Sequence, residues 1–210
     1  MEPVFIYGQT LEPIQIEIEG PFFFMMVQLF PSFIGATFGI PIRELTNSCW
    51  TIPKSEWQSE SYFEISIHKH STEIAKDAIF RFLLNKSINF TPDITLQTCM
   101  ETILNSNGNC EIKRIASSLG MSERTLQRKF QQYVGLTPKQ FATIIRFQTS
   151  LQELKDEENT KLTEIAYDNG YSDQSHFIRQ FKSFTKENHF NSEKKRINVG
   201  FVQFLILYLC

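Results

Sequence analysis

Apolar and polar positions follow two different periods along this chain, and the change of period divides it. Over residues 2–30 the period is two: VFIYG, IQIEIEG and PFFFMMVQLF alternate or run apolar, punctuated by Gly8, Pro13 and Gly20-Pro21, which predicts strands. IQIEIE places its isoleucines on one side and Gln15, Glu17 and Glu19 on the other. Pro31 to Phe38 predicts a short helix, and Gly39-Ile40-Pro41 turns the chain into a second one, IRELTN. From residue 57 to 106 the period is helical. It is clearest from Thr72 to Lys86, with Ile74, Ala78, Ile79, Phe82 and Leu83 facing inward. Asn85 to Pro92 reads as a loop, Asp93 to Leu104 as another helix, and Asn105 to Asn109, NSNGN, as the best domain boundary.

Beyond that boundary Ile112 to Pro138 organises the chain. Ile115, Ala116 and Leu119 form one apolar stripe, and Ala116 is small enough for another helix to approach closely. Gly120 follows the last periodic residue and supplies the left-handed backbone that ends a helix. Ser122 is placed to cap a new helix by accepting an orphan backbone N–H. That helix buries Leu126, Phe130 and either Val134 or Tyr133, and turns Arg124, Gln127, Arg128 and Gln131 outward. Arginine forks beside amides are the side chains that read base edges in a DNA major groove, although an ordinary helical hairpin carries such residues too.

A second copy changes the balance. Ile115-Ala116 and Gly120 match Ile165-Ala166 and Gly170 at a spacing of 50. Ser122, Leu126, Arg128 and Phe130 then match Asp173, Phe177, Arg179 and Phe181 at a spacing of 51, so one residue is inserted at the turn and the helix phase recovers. Pro138 to Lys155 between the copies reads as one long helix with Phe141, Ile144, Ile145, Leu151 and Leu154 on its buried side. The pieces IxxIAxxLGMSxxTLxRxF, GLTPxxF, the linker arginine Arg146 and IAxxxGYxDxSxFxRxFK cover about residues 108 to 190. In this order they resemble the DNA-binding domain of the AraC/XylS family of bacterial transcription regulators. The strands, the GQT turn and GIPxxELT are similar to the rear half of a β-rich, sensing or dimerising N-terminal domain of some of its members.

The resemblance implies an α+β chain: a small β-rich part at residues 1–56, a helical connector at 57–107, an all-α domain of two helix-turn-helix units joined by a long helix at 108–196, and an apolar tail at 197–210. Relatives carry further strands before this point, and two or three strands cannot close a barrel or sandwich alone. The expectation is therefore a fragment, or strands that pair with something outside the chain. Base contacts fall by resemblance on Arg124, Gln127 and Arg128 in the first unit and on Gln174, Ser175, Ile178 and Arg179 in the second. Lys129, Lys139 and Lys182 are the candidates for backbone phosphates. The partners implied are double-stranded DNA, with RNA polymerase, a small-molecule effector and a second copy held through the N-terminal part as further candidates. The alternative from another class is a helical protein-interaction module without DNA binding, which an outward apolar stripe on the second hairpin would favour; Gln174, Ser175 and Arg179 stand there instead.

Charge agrees without deciding. Glu111 to Arg196 carries 15 Lys and Arg against 11 Asp and Glu, and the remaining residues carry 6 against 12. A mildly basic segment beside an acidic one suits a DNA-binding domain attached to something else. Twenty phenylalanines give an aromatic core. Cys49, Cys99, Cys110 and Cys210 lack metal-ligand or redox spacing and read as reduced thiols of a cytoplasmic protein. His68-Lys69-His70 would set two imidazoles on one strand face, with no third ligand near in sequence. No phosphate-binding glycine loop, nucleophile elbow or Cys–His pairing is present, so no enzyme, metal or cofactor is expected. Phe201 to Leu209 is too short to span a bilayer, which takes ~20 residues, and the strand-like tail is expected to dock on the protein.

Overall fold

In the first strand Val4 and Ile6 are buried while Phe5 and Tyr7 are half-buried, the alternation that a period-two stretch imposes on a sheet with one covered face. A computed structural model describes residues 4–12, 23–57, 72–156, 161–185 and 204–209. The IQIEIE stretch, His68, His70, Lys186 to His189 and Cys210 lie outside the described residues. Among the described residues there are four antiparallel strands, β1 (Val4–Tyr7), β2 (Phe23–Gln28), β3 (Cys49–Thr51) and β4 (Phe204–Leu209), in the order β2-β4-β1-β3. Ile6 pairs with Trp50 on one side and Leu205 on the other, and Met26 pairs with Ile206. The partners of β1 and β2 thus come from within the chain: the apolar tail supplies a central strand, and β3, which carries too short an alternation to be read from sequence, supplies an edge.

Helix α1 (Pro31–Phe38) starts with proline at its first turn, where the missing N–H costs nothing, and ends on Gly39 in left-handed backbone. A single 3-10 turn, Ile42–Leu45, follows, shorter than the helix IRELTN predicted. After α2 (Lys54–Trp57) comes α3 (Thr72–Ser87), whose Ala78, Ile79 and Phe82 join Val4, Ile6, Ile34, Ile42, Leu45 and Ile52 in one apolar cluster. Lys86 pins the end of α3: its ammonium lies 2.7 Å from Glu56 and above the rings of Phe38 and Phe82.

The remaining helices are α4 (Ile94–Asn105), α5 (Ile112–Ser118), α6 (Glu123–Val134), α7 (Pro138–Asp156), α8 (Leu162–Asp168) and α9 (Gln174–Thr185). They share a second cluster that runs from Leu96 to Phe184. Leu96, Cys99, Met100 and Ile103 of α4 belong to it, so one apolar core continues across the turn at 105–109, of which Gly108 alone is buried. Long helix α7 is buried on two sides. Its Phe141 meets Phe130 of α6 at 5.6 Å between ring centres, and its Phe147 stacks on Phe184 of α9 at 4.6 Å. No helix among the described residues is long and apolar enough to cross a membrane.

Candidate nucleic-acid interface

The two helical pairs, α5–α6 and α8–α9, are built by the same backbone device. In the first, Gly120 takes φ +68° and the Met121 N–H donates to the carbonyl of Ala116 at 3.0 Å. In the second, Gly170 takes φ +70° and the Tyr171 N–H donates to the carbonyl of Ala166 at 2.9 Å. Each glycine thus closes the preceding helix by folding the chain back on its last turn. The turns superimpose in sequence as far as Met121 and Tyr171, and the extra residue of the second pair is Ser172.

Each second helix is then capped by a side chain. The Thr125 N–H donates to Ser122 Oγ at 3.1 Å, and the His176 N–H donates to Asp173 Oδ1 at 2.6 Å. That backbone bond, despite slight desolvation, holds the Asp173 carboxyl below the usual carboxylate range, helped by the Ser172 hydroxyl and the charge of Arg179. Helix α6 seats Leu126, Phe130 and Val134 in the core, and α9 seats Phe177, Phe181 and Phe184. Val134 is fully buried and Tyr133 is 41% exposed, which resolves the choice the spacing left open. Between the pairs, Thr137 and Gln140 cap α7 reciprocally: the Thr137 N–H donates to Gln140 Oε1 at 2.9 Å and the Gln140 N–H to Thr137 Oγ1 at 3.1 Å.

On the opposite face of α6, Arg124, Gln127 and Arg128 are all exposed, and Gln131 is half-buried. On α9, Ser175 and Arg179 are exposed while Gln174 and Ile178 are half-buried. The Gln174 amide oxygen accepts from Thr163 Oγ1 of α8 at 3.0 Å, which fixes that side chain across its own hairpin. Lys139 and Lys182 stand exposed. Lys129 is placed otherwise: its ammonium lies 2.7 Å from Asp93, the residue that caps α4, with only 29% of its side chain exposed.

Two groups of side chains that bear on this face were not foreseen. Phe147 and Ser150 are buried on α7 in addition to the expected Phe141, Ile144, Ile145 and Leu151; Phe147 meets Phe181 and Phe184 of the second pair, whereas Phe141 meets Phe130 of the first. Leu154, expected inside, is half-buried. The second group joins the sheet-bearing part to α6. Arg43 Nε donates to the Gln131 carbonyl at 3.2 Å, which also accepts the Gly135 N–H, and Thr46 Oγ1 donates to the Gly135 carbonyl at 3.2 Å, so both add donors at the carbonyl end of that helix. Nothing in the local pattern of IRELTN signals a long-range partner. No cluster of three His, Cys, Asp or Glu able to hold a metal occurs among the described residues, and Cys49, Cys99 and Cys110 are free thiols.

Comparison with known proteins agrees with this geometry. Residues 115–188 match a family model described as a helix-turn-helix domain. An uncharacterized HTH-type transcriptional regulator of Haemophilus influenzae is 33% identical over 113 residues, 53% of this chain and 38% of that protein. The HTH-type transcriptional activator RhaS of Escherichia coli O157:H7 is 35% identical over 68 residues, 32% of this chain and 24% of RhaS. The chain thus spans well under half the length of these relatives. No solved structure matches the chain at comparable significance. Residues 115–188 are thus similar to a helix-turn-helix domain, and the relatives that share this stretch are named as HTH-type transcriptional regulators.

Proposed function

We propose that the chain is a sequence-specific DNA-binding transcription regulator that reads two successive major grooves, α6 in one and α9 in the next, ~34 Å apart along one face of the duplex. The observation that carries this reading is the repeated placement of an exposed arginine, Arg128 and Arg179, opposite a buried apolar stripe on each capped helix. Each guanidinium is free to make the bidentate contact to guanine, worth ~1–3 kcal/mol of discrimination. Arg124 and Gln127 extend the reading surface of α6, and Ser175, Gln174 and Ile178 that of α9. Lys139 and Lys182 contact phosphates, which position the protein without specifying sequence. An effector or a second copy acting on the N-terminal part would reach the reading helices through Arg43 and Thr46.

Salt titration of the full chain on duplex DNA tests this. Counterion release predicts a log–log slope of about −0.9 for each phosphate neutralised. A flat titration between low and physiological salt would overturn the proposal and leave the helical pairs as a protein-binding module.

A further inference from the structure

The linker-helix arginine does something neither reading helix does: it touches the backbone on both sides of the linker. Arg146 Nη2 donates to the carbonyl of Gly108, in the turn that precedes the first pair, at 2.9 Å. Its Nη1 reaches the carbonyl of Gly170, in the turn inside the second pair, at 3.5 Å. The guanidinium lies 5.9 Å from the ring centre of Tyr171, and its Nε is buried. Around this point the backbone of Gly108 lies directly on that of α7, and the Asn109 side chain lies directly on Gly170. A Cβ on Gly108 would fall 2.2 Å from the carbonyl oxygen of Ala142 on α7, and a Cβ on Gly170 would fall 2.7 Å from Asn109 Oδ1. The linker helix, the start of the first unit and the turn of the second therefore meet at one residue, and a planar fork holds its two carbonyls in a fixed geometry that a rotatable ammonium does not impose.

We propose that Arg146 is a positioning residue that fixes the distance and angle between α6 and α9, and so sets the spacing of half-sites the protein accepts. This rests on the two-groove reading above. A rigid pair of readers cannot follow an inserted base pair, which displaces the second half-site by about 3.4 Å and rotates it by roughly 35°. Loosening the fork lets the second unit follow, at the expense of discrimination.

The test uses the full chain, an operator selected from random duplexes with the wild-type protein, and derivatives with one base pair inserted or deleted between the half-sites. Arg146→Lys keeps the charge but loses the fork, and Asn109→Ala weakens the contact of the two turns without entering the core. The wild type should lose about ten- to a hundredfold in affinity when the spacing changes. In both variants that ratio should fall to about threefold, while affinity for a duplex bearing only the first half-site stays at the wild-type level. Variants as strict about spacing as the wild type would overturn the role of Arg146 and leave the two-groove reading standing. Equal loss on the single half-site would also overturn it, assigning Arg146 to overall folding. A wild type indifferent to spacing would remove the two-groove reading, and this inference with it.

Discussion

At the scale of single residues, Lys129 shows how one step along a helix separates two jobs. Arg128 points to solvent, and the next residue, about 100° further round, meets the cap of α4. Desolvation pushes the Asp93 carboxyl upward, but hydrogen bonds from Lys129 and the Leu96 N–H, with the lysine charge, outweigh it and hold the group below its ordinary value. A carboxyl so depressed adds stability that is full above the unfolded value of about 3.9 and is lost as pH falls through the lowered folded one. Lys129→Ala should therefore leave the salt slope of DNA binding unchanged and cost up to ~1 kcal/mol of stability at neutral pH, the pair being partly exposed. Lys182→Ala should reduce the slope by about one and weaken all sequences alike. Salt titrations and urea unfolding of both variants check the division. That Lys129 turns away was not legible in sequence, since its partner is the cap of a helix 36 positions earlier. The neighbouring arginines were legible, because the four-residue spacing of Leu126, Phe130 and Val134 already fixes which face is left outside.

The helical elements repeat, but they do not offer equal surfaces. Helix α6 presents two arginines and a glutamine free in solvent. Helix α9 presents one arginine and a serine, with Gln174 tied to Thr163 and with Ile178, which can meet a thymine methyl but cannot hydrogen bond. The first unit should therefore dominate specificity, each base change beneath it costing ~1–3 kcal/mol and changes beneath the second costing less. A base-substitution scan of a selected operator reads this directly, and equal penalties under both units would sink the ranking. Both units, their caps and the inserted residue could be read from sequence, because glycine turns and capping side chains are local devices. The double burial of α7 could not. A helix packed on two sides loses its single stripe, so Phe147 looks like an exposed position until the second pair is folded onto it.

Across the described residues, two apolar clusters are joined at a seam. Arg43 and Thr46 hold the end of α6, and Leu11 packs against the larger cluster. Such long-range joins have no periodic signature, which is why the seam was invisible beforehand. The larger cluster contains Cys99 on α4 and Tyr171 at the second turn, both almost fully buried. Burial pushes the thiol up to about 12, with a smaller push from Cys110; it also pushes the phenol up to about 12 against weaker opposing pulls from Ser150 and Arg146. Groups raised in this way contribute stability that is full below their unfolded values, about 8.5 and 10, and is lost as pH rises toward 12. Unfolding by urea should show stability falling by a few kcal/mol between about pH 8.5 and 12, in one transition common to all probes if the cluster is a single cooperative unit. Tyr171→Phe should flatten the upper part of that fall, and a variant that declines as steeply as the wild type would show that the phenol contributes nothing.

The turn from Ser106 to Asn109 carries a consequence for anyone dissecting the protein. Its composition is that of a hinge, and a protease or a cloning strategy guided by composition would cut there. In the folded chain Gly108 is clamped between Ala142 and Arg146, and the helix before it covers the core with Leu96, Cys99, Met100 and Ile103. Limited digestion should spare this turn as long as the domain stays folded. A fragment begun at residue 108 would expose an apolar face where one begun near Asp93 would not, so the shorter piece should aggregate and the longer one should remain in solution.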